Sequence, residues 1–350
     1  MSAIATRPSQ PPGAPADTSS RRLTERVFRI RESGIVGVLA LFVLVTTIIQ
    51  PRFLDSSNIQ FILVNTTVFA LLALGETIVV VSRNVDLSVG SVLGLSAYLS
   101  ASLFGSVHGI PIVVVVLFGL GIGLVCGIVN GLVVAVGRVP SLVVTLATLY
   151  IIRGIDILHV GGGEVVASTL PSSFVNMSQD TVLGIPYVAI VVALIVAAGA
   201  YCMRSFRSGR ELYAIGSNPE AARLAGIPVA RRVFAAFAIS GAIAGLAGVL
   251  WASEYQTVNS TAGTGYELQV IAAVVVGGVA IFGGSGSIVG AAVGALLLNT
   301  INSALNVLGI SPFWEQAIAG FLLLVAISLD RVIALRLLTA LRKRGARVGA

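Results

Sequence analysis

The stretch from Ile110 to Val136, IPIVVVVLFGLGIGLVCGIVNGLVVAV, contains no charged residue. A helix needs about 20 apolar residues to cross the hydrocarbon core of a bilayer, and this run is long enough to do so. Similar runs recur along the chain, so the backbone has to satisfy its own N–H and C=O groups inside helices that lie in lipid. On that criterion spans are expected near residues 34–50, 59–82, 87–107, 111–136, 140–158, 183–203, 231–252, 267–282, 286–307 and 312–330. The eighth is short for a complete crossing.

Composition agrees. Of 350 residues, 56% are hydrophobic and only 11% charged, with a mean hydropathy of +0.98, beyond the range of a soluble domain. Most of the 39 glycines lie inside the apolar runs, where small residues let helix backbones approach closely. The expected fold class is an all-α integral membrane protein of about ten transmembrane helices. Cys126 and Cys202 sit in separate apolar runs and form neither a disulfide framework nor a metal site, so both read as packing residues.

Residues 1–20, rich in Pro, Ser and Ala, read as a disordered cytoplasmic tail. Residues 21–33 form a basic amphipathic juxtamembrane segment: Leu23, Val27 and Ile30 recur at helical spacing while Arg22, Arg26 and Arg29 point elsewhere. No small-residue cleavage site follows the run at 34–50, which therefore reads as a retained anchor. The membrane domain extends over 34–332, with a cytoplasmic loop at 204–230, and a basic cytoplasmic tail follows at 333–350. With the amino terminus inside, all of the 22 Lys and Arg residues except Arg52 and Arg153 fall inside or at the cytoplasmic boundary, so both termini are expected in the cytoplasm. The net charge of +7 is thus a topology signal and implies no nucleic-acid partner.

The cytoplasmic loop carries the clearest local pattern. Asn218 is a helix cap, Pro219 takes the first helical position and Glu220 lies near the positive end of the dipole, while Gly226 and Pro228 end the two turns over 219–225. A short capped helix isolated in a loop has little of its own chain to pack on, which suggests docking into a partner's groove. A structured loop without a partner is the alternative.

The segments NVDLSVGSVLGLSA, GRELYAIGSNPEAARLAGIPV, AISGAIAGLAGVLWAS and GTGYELQVIAAVVVGGVAIFGGSGSIVG, in that order along the chain, resemble the permease subunits of bacterial ABC importers for simple sugars of the ribose, xylose and rhamnose type. The resemblance runs from about residue 35 to 332 and looks closest to the rhamnose and autoinducer-2 permeases. It implies a multi-pass protein of the bacterial cytoplasmic membrane with an inverted-repeat bundle that moves a monosaccharide inward by alternating access. The implied partners are separate ABC ATPase subunits, a second permease copy or paralogue, and an extracytoplasmic sugar-binding protein. Arg210, Asn218, Pro219, Glu220, Arg223 and Gly226 would couple to the ATPase. ATP and Mg would be used by that partner, and this chain would need no cofactor: it has no G-x-x-x-x-G-K-[ST], and GGSGSIVG at 283–290 lacks the lysine of a phosphate loop and reads as a tight turn or broken-helix element.

Polar groups inside spans are costly and should face the bundle interior or a wet cavity. The candidates for the substrate path are Asn65, Glu76, Asn130, Tyr150, Arg153, Asp156, Asn299 and Asn302, amides and a tyrosine being better suited to a neutral sugar than a ring of charge. Arg153 and Asp156, three apart, neutralise each other either as a structural pair at the external mouth or as part of the path. In SRNVDLSVGS, Asp86 and Ser88 are expected to cap the third span at the inner gate, with Gly90 and Gly94 admitting a neighbouring helix. Asn130, Gly137 and Pro140 recur at the spacing of Asn302, Gly309 and Pro312, a trace of an inverted repeat. Glu76 and Asp86 could alternatively carry protons in a stand-alone secondary transporter. His108 and His159 fit no metal or triad pattern, so an intramembrane enzyme has no support.

Overall fold

The computed structural model describes residues 18–311 and 313–328, with side-chain environments from residue 34 onward. The expected tail at 1–20 lies almost wholly outside the described residues, as do the side chains of 21–33, Pro312 and the basic tail at 333–350.

In chain order the helices are α1 (Thr18–Ile49), α2 (Ser56–Val81), α3 (Val89–Ser106), α4 (Ile112–Gly131, continued by a π-helical turn Leu132–Val136), α5 (Ser141–Val160), α6 (Ser172–Gln179), α7 (Tyr187–Ser205), α8 (Arg207–Ser217), α9 (Pro219–Leu224), α10 (Val229–Tyr255), α11 (Tyr266–Val276), α12 (Ile288–Val307) and α13 (Trp314–Ser328). A small antiparallel hairpin, β1 (Thr181–Val182) and β2 (Ile185–Pro186), precedes α7. Among the described residues, seven helices are long and apolar enough to cross a membrane: α2, α3, α4 with its π turn, α5, α7, α10 and α12. The apolar part of α1 (Gly34–Ile49), α11 and α13 are shorter. The expected eighth span, 267–282, is corrected: helix stops at Val276, and residues 277–287 form an irregular connection with left-handed Gly278, Gly283 and Gly284.

Helices α2 and α10 form the centre. Every residue of α2 from Thr67 to Val81 is buried, and α10 packs on α2, α3 and α4. Helices α4, α5 and α7 lie at the periphery with exposed Val113, Leu117, Leu146, Leu158 and Leu194, the inverse of a soluble protein and the arrangement expected where lipid is the solvent. Cys202 is exposed on α7, not packed as expected, while Cys126 is half-buried.

Glycine sets the central crossing. A Cβ on Gly123 of α4 would lie 2.1 Å from the carbonyl oxygen of Gly241 in α10, one on Gly127 would lie 2.3 Å from the carbonyl oxygen of Phe237, and one on Gly245 would lie 2.2 Å from that of Gly119. Only glycine allows backbones this close, and the contact gains dispersion that two apolar side chains in lipid could not. Ser96 of α3 completes the junction by donating to the carbonyls of Gly245 (2.8 Å) and Gly119 (3.2 Å). A second contact of this kind joins α11 and α12, where a Cβ on Gly294 would meet the carbonyl oxygen of Ala273 at 2.1 Å.

The bundle has two ends. One carries α8 and α9; the other carries α6 and the hairpin. Phe174 of α6 is fully enclosed and tilts against Phe104 of α3 at 4.8 Å, and Val165 pairs with Val258, so the α6 end is closed by packed connections. Of the expected repeat, Gly137 is right-handed (φ −69°) and Gly309 left-handed (φ +69°), so the two positions do not share a backbone conformation.

Candidate functional site

In the connection between α2 and α3, residues 82–88, Ser82, Asp86 and Ser88 are buried although the backbone is not helical, and backbone of this kind lies at membrane depth only where protein covers it. Its groups are tied to three helices. The amide of Asp86 donates to Glu76 Oε1 of α2 (3.1 Å), and Asn130 Nδ2 of α4 donates to Ser88 Oγ (2.8 Å). From α5, Ser141 Oγ accepts from the Val85 amide and Thr145 Oγ1 donates to the Val85 carbonyl, both at 3.2 Å. Asp86 Oδ1 accepts from the amide and the hydroxyl of Ser88 (2.9 and 2.6 Å). The cap expected of Asp86 and Ser88 is therefore corrected. Ser88 occupies the cap position, but its hydroxyl turns back to Asp86 and no side chain caps α3. Asp86 shapes the turn that delivers the chain to the helix. Glu76 Oε2 and Asn130 Oδ1 are buried acceptors without a hydrogen bond among the described residues.

Gly90 and Gly94 face a different neighbour from the helix expected. A Cβ on either would lie 2.5 Å from a backbone carbonyl, that of Gly263 or Ala262, in the irregular segment between α10 and α11. Arg153 of α5 holds the same segment, its Nη1 donating to the carbonyls of Ala262 (2.6 Å) and Ser260 (3.3 Å) while lying 3.6 Å from Asp156. In this geometry the pair fixes the α10–α11 connection.

Nearer the α6 end, Asn65 of α2 accepts from the Tyr255 hydroxyl (2.8 Å); Tyr255 stacks on Trp251 with ring centres 4.5 Å apart, and the Trp251 indole donates to Tyr266 Oη (3.2 Å). Asn302 bonds Glu315 and Asn306. Asn299 is buried and donates to the Ala295 carbonyl of its own helix. Tyr150, expected toward the interior, is 70% exposed on the outer face of α5, a correction that follows from its position on a peripheral helix. Seven of the candidates thus fall into three groups, with Glu76, Asp86, Ser88 and Asn130 in one network, Arg153 and Asp156 on the α10–α11 connection, and Asn65 with an aromatic cluster, while Asn299, Asn302 and Tyr150 join none of them. Trp251, Tyr255, Tyr266 and Glu315 escape the sequence reading, although the four-residue spacing of Trp251 and Tyr255 puts both rings on one helix face.

At the opposite end Asn218 caps α9 as expected, its Oδ1 accepting from the amides of Glu220 and Ala221 at 3.1 Å; Pro219 opens the helix, Glu220 pairs with Arg223 at 3.1 Å, and left-handed Gly226 (φ +77°) ends it. The helix is not isolated. It packs on α8, which the sequence reading left without structure, and buries Ala222 while Leu224 stays 90% exposed. Arg210 of α8 is exposed and donates to the Ser205 carbonyl (3.1 Å). Glu211, 7% exposed at its side chain, accepts from Arg207 of its own helix (2.7 Å) and from Arg232 of α10 (2.5 Å). These bonds, that from Arg232 foremost, hold its carboxyl below the usual range. Gly216 of α8 closes on the α2 terminus and the 277–287 connection: a Cβ there would meet the Val81 carbonyl oxygen at 1.9 Å and the Gly284 amide nitrogen at 2.4 Å. The Gly284 amide itself donates to the Val81 carbonyl (2.9 Å). A cavity of about 870 Å³ opens between α9 and the 82–88 connection, lined by Arg83, Arg138, Ile215, Pro219 and Arg223 among others. Among the described residues, no group of three His, Cys, Asp or Glu could hold a metal ion.

An apolar helical bundle with enclosed polar networks and a packed helix pair at one end is that of a multi-pass integral membrane protein. Residues 58–327 match the family described as branched-chain amino acid transport system / permease component, and the chain belongs to that family. Among its relatives, the ribose import permease protein of Escherichia coli strain K12 is 34% identical over 314 residues, covering 89% of this chain and 97% of the relative. The ribose import permease protein of Bacillus subtilis strain 168 is 36% identical over 309 residues (87% and 95%), and the autoinducer 2 import system permease protein of Enterobacter sp. strain 638 is 37% identical over 298 residues (85% of each). The comparison with solved structures gives no significant match.

Proposed function

We propose that the chain is the membrane-spanning permease subunit of an ATP-binding cassette importer of the bacterial cytoplasmic membrane, moving a monosaccharide inward. The observation that carries this reading is the agreement with import permeases for ribose and autoinducer 2 over 85% or more of the chain. The geometry supports it: α9 is a capped helix on a packed base that presents Leu224 to solvent, a knob suited to a groove on an ATPase subunit. Arg210, Asn218, Pro219, Glu220, Arg223 and Gly226 would form or frame that contact, and ATP and Mg would belong to the ATPase. Movement of α9 would reach the 82–88 connection through Gly216, Val81 and Gly284, because three backbones in contact cannot shift independently.

The α6 end would be external and would receive a sugar-binding protein, its hairpin tip offering Leu183 at 99% exposure. A second permease copy or paralogue would meet an exposed face such as that of α5, which carries Tyr150. Both termini would lie in the cytoplasm, and the inverted-repeat arrangement and a rhamnose-like sugar remain part of this proposal. A second substrate reading, autoinducer 2, is favoured by the 37% identical relative.

Reconstitution in proteoliposomes tests the proposal. With its ATPase and binding protein the chain should accumulate labelled sugar only when ATP is supplied, and alone it should give no flux. Uptake driven by a proton gradient without ATPase would establish the stand-alone secondary transporter instead. Replacing Glu220 or Arg223 by Ala should lower sugar-stimulated ATP hydrolysis with the membrane level of the protein unchanged.

A further inference from the structure

Beside α8, at the bundle end that carries α9, lies a cavity of about 640 Å³ that none of the polar networks above uses. Its walls are the end of α7 with Arg204, the α8 residues Arg210 and Tyr213, and the connection Gly284–Ser287 with the first turn of α12. No acidic residue lines it, and among the described residues no carboxylate lies within ion-pair distance of Arg204 or Arg210. The Tyr213 hydroxyl donates to the Gly286 carbonyl (3.0 Å) and fixes the glycine-rich wall.

A second feature makes this more than a basic hollow. Val289 also lines an apolar groove of about 380 Å³ between α2, α7 and α12, walled by Leu63, Ala193, Val196, Ala197, Val293 and Leu296 among others. Its two threonines, Thr66 and Thr67, give their hydroxyl hydrogens to carbonyls of their own helix at 2.6 Å, so the polar atoms in the groove are already satisfied. On α7 the groove runs from Ala197 to Ala189, about 12 Å, and with the cavity at Arg204 the two together follow α7 for about 22 Å, against about 15 Å of hydrocarbon in one leaflet. A basic cavity beside an apolar groove, the two meeting at Val289, is complementary to an anionic amphiphile, with a charged head for the one and a hydrocarbon chain for the other.

We propose that an anionic phospholipid binds here, its phosphate between Arg204 and Arg210 and one acyl chain along α2, α7 and α12. A pair of arginines near the membrane surface supports about a 30-fold preference for an anionic over a zwitterionic headgroup. Bound lipid would brace α8 against α12, beside the Gly216–Gly284 contact.

Native mass spectrometry of the full chain in detergent, with dioleoyl phosphatidylglycerol or dioleoyl phosphatidylcholine added, tests the site. Phosphatidylglycerol should be retained preferentially, by about 30-fold in apparent affinity. The double variant Arg204→Gln, Arg210→Gln should lose that preference, and Ala193→Phe should weaken retention of the lipid although both arginines remain. If either variant melts below the parent protein in lipid-free detergent, Arg204→Gln alone and Ala197→Leu replace them. Equal retention of the two lipids, displacement of phosphatidylglycerol by millimolar inorganic phosphate, or parental retention by the arginine variants would each overturn the proposal.

Discussion

Glu211 gathers two arginines on one carboxylate and thereby pins α8 to the start of α10. Because hydrogen bonds from Arg232 and then Arg207 lower its folded pKa, its stabilising contribution is complete above the ordinary carboxylate value of about 4.3 and is lost as pH falls through the lower folded value. Melting curves in detergent between pH 7 and pH 3 should therefore show a steeper acid-side loss for the parent protein than for Glu211→Gln, which has no proton to take up. Asn218 acts one helix further on. Removing its carbonyl oxygen in Asn218→Ala leaves the Glu220 and Ala221 amides unpaired and should cost about 1 kcal/mol of local stability, read as faster hydrogen exchange confined to α9. Asn218 is legible from sequence because a cap works within four residues of chain. Glu211 is not, because its second partner, Arg232, lies beyond a whole helix and a turn.

At the scale of elements, glycine decides which helices touch. Gly123→Ala places a methyl group against the backbone of α10 and should destabilise the protein by roughly 1–3 kcal/mol. Gly121→Ala, two residues away with nothing within 4 Å of the added atom, should leave the melting temperature unchanged or slightly raised. Equal effects of the two substitutions would remove the glycine crossing as the organiser of the core. The apolar runs were readable as helices because lipid permits few other backbones, and boundaries such as Val81 and Ser141 fall within two residues of expectation. What sequence could not supply is partnership. The spacing of Gly90 and Gly94 signals close approach, but only the fold shows the approaching group to be the irregular segment after α10, since both a helix and a turn fit beside a glycine pair. In the same way the end of α11 at Val276 is hidden by the apolar residues that continue past it, Val279, Ala280, Ile281 and Phe282.

The whole molecule is built on a centre of α2 and α10, on which α3 and one face of α4 pack, and the two ends differ in kind. If the α9 end faces the cytoplasm, as proposed, Leu224→Cys in intact cells should resist a membrane-impermeant maleimide until the membrane is opened, and Leu183→Cys in the hairpin tip should label at once. The reverse pattern would invert the topology. The glycine contact between α4 and α10 also bears on how the chain is made. Its halves are separated by roughly a hundred residues, so at ribosomal speed the stripe on α4 enters the membrane on the order of ten seconds before its match on α10 is synthesised. During that interval the bare backbone on α4 can be covered only by lipid tails or insertion machinery. A nascent chain interrupted before Val229 keeps that stripe permanently uncovered, and clearance of such fragments by membrane proteases would follow from the same three glycines that hold the finished bundle together.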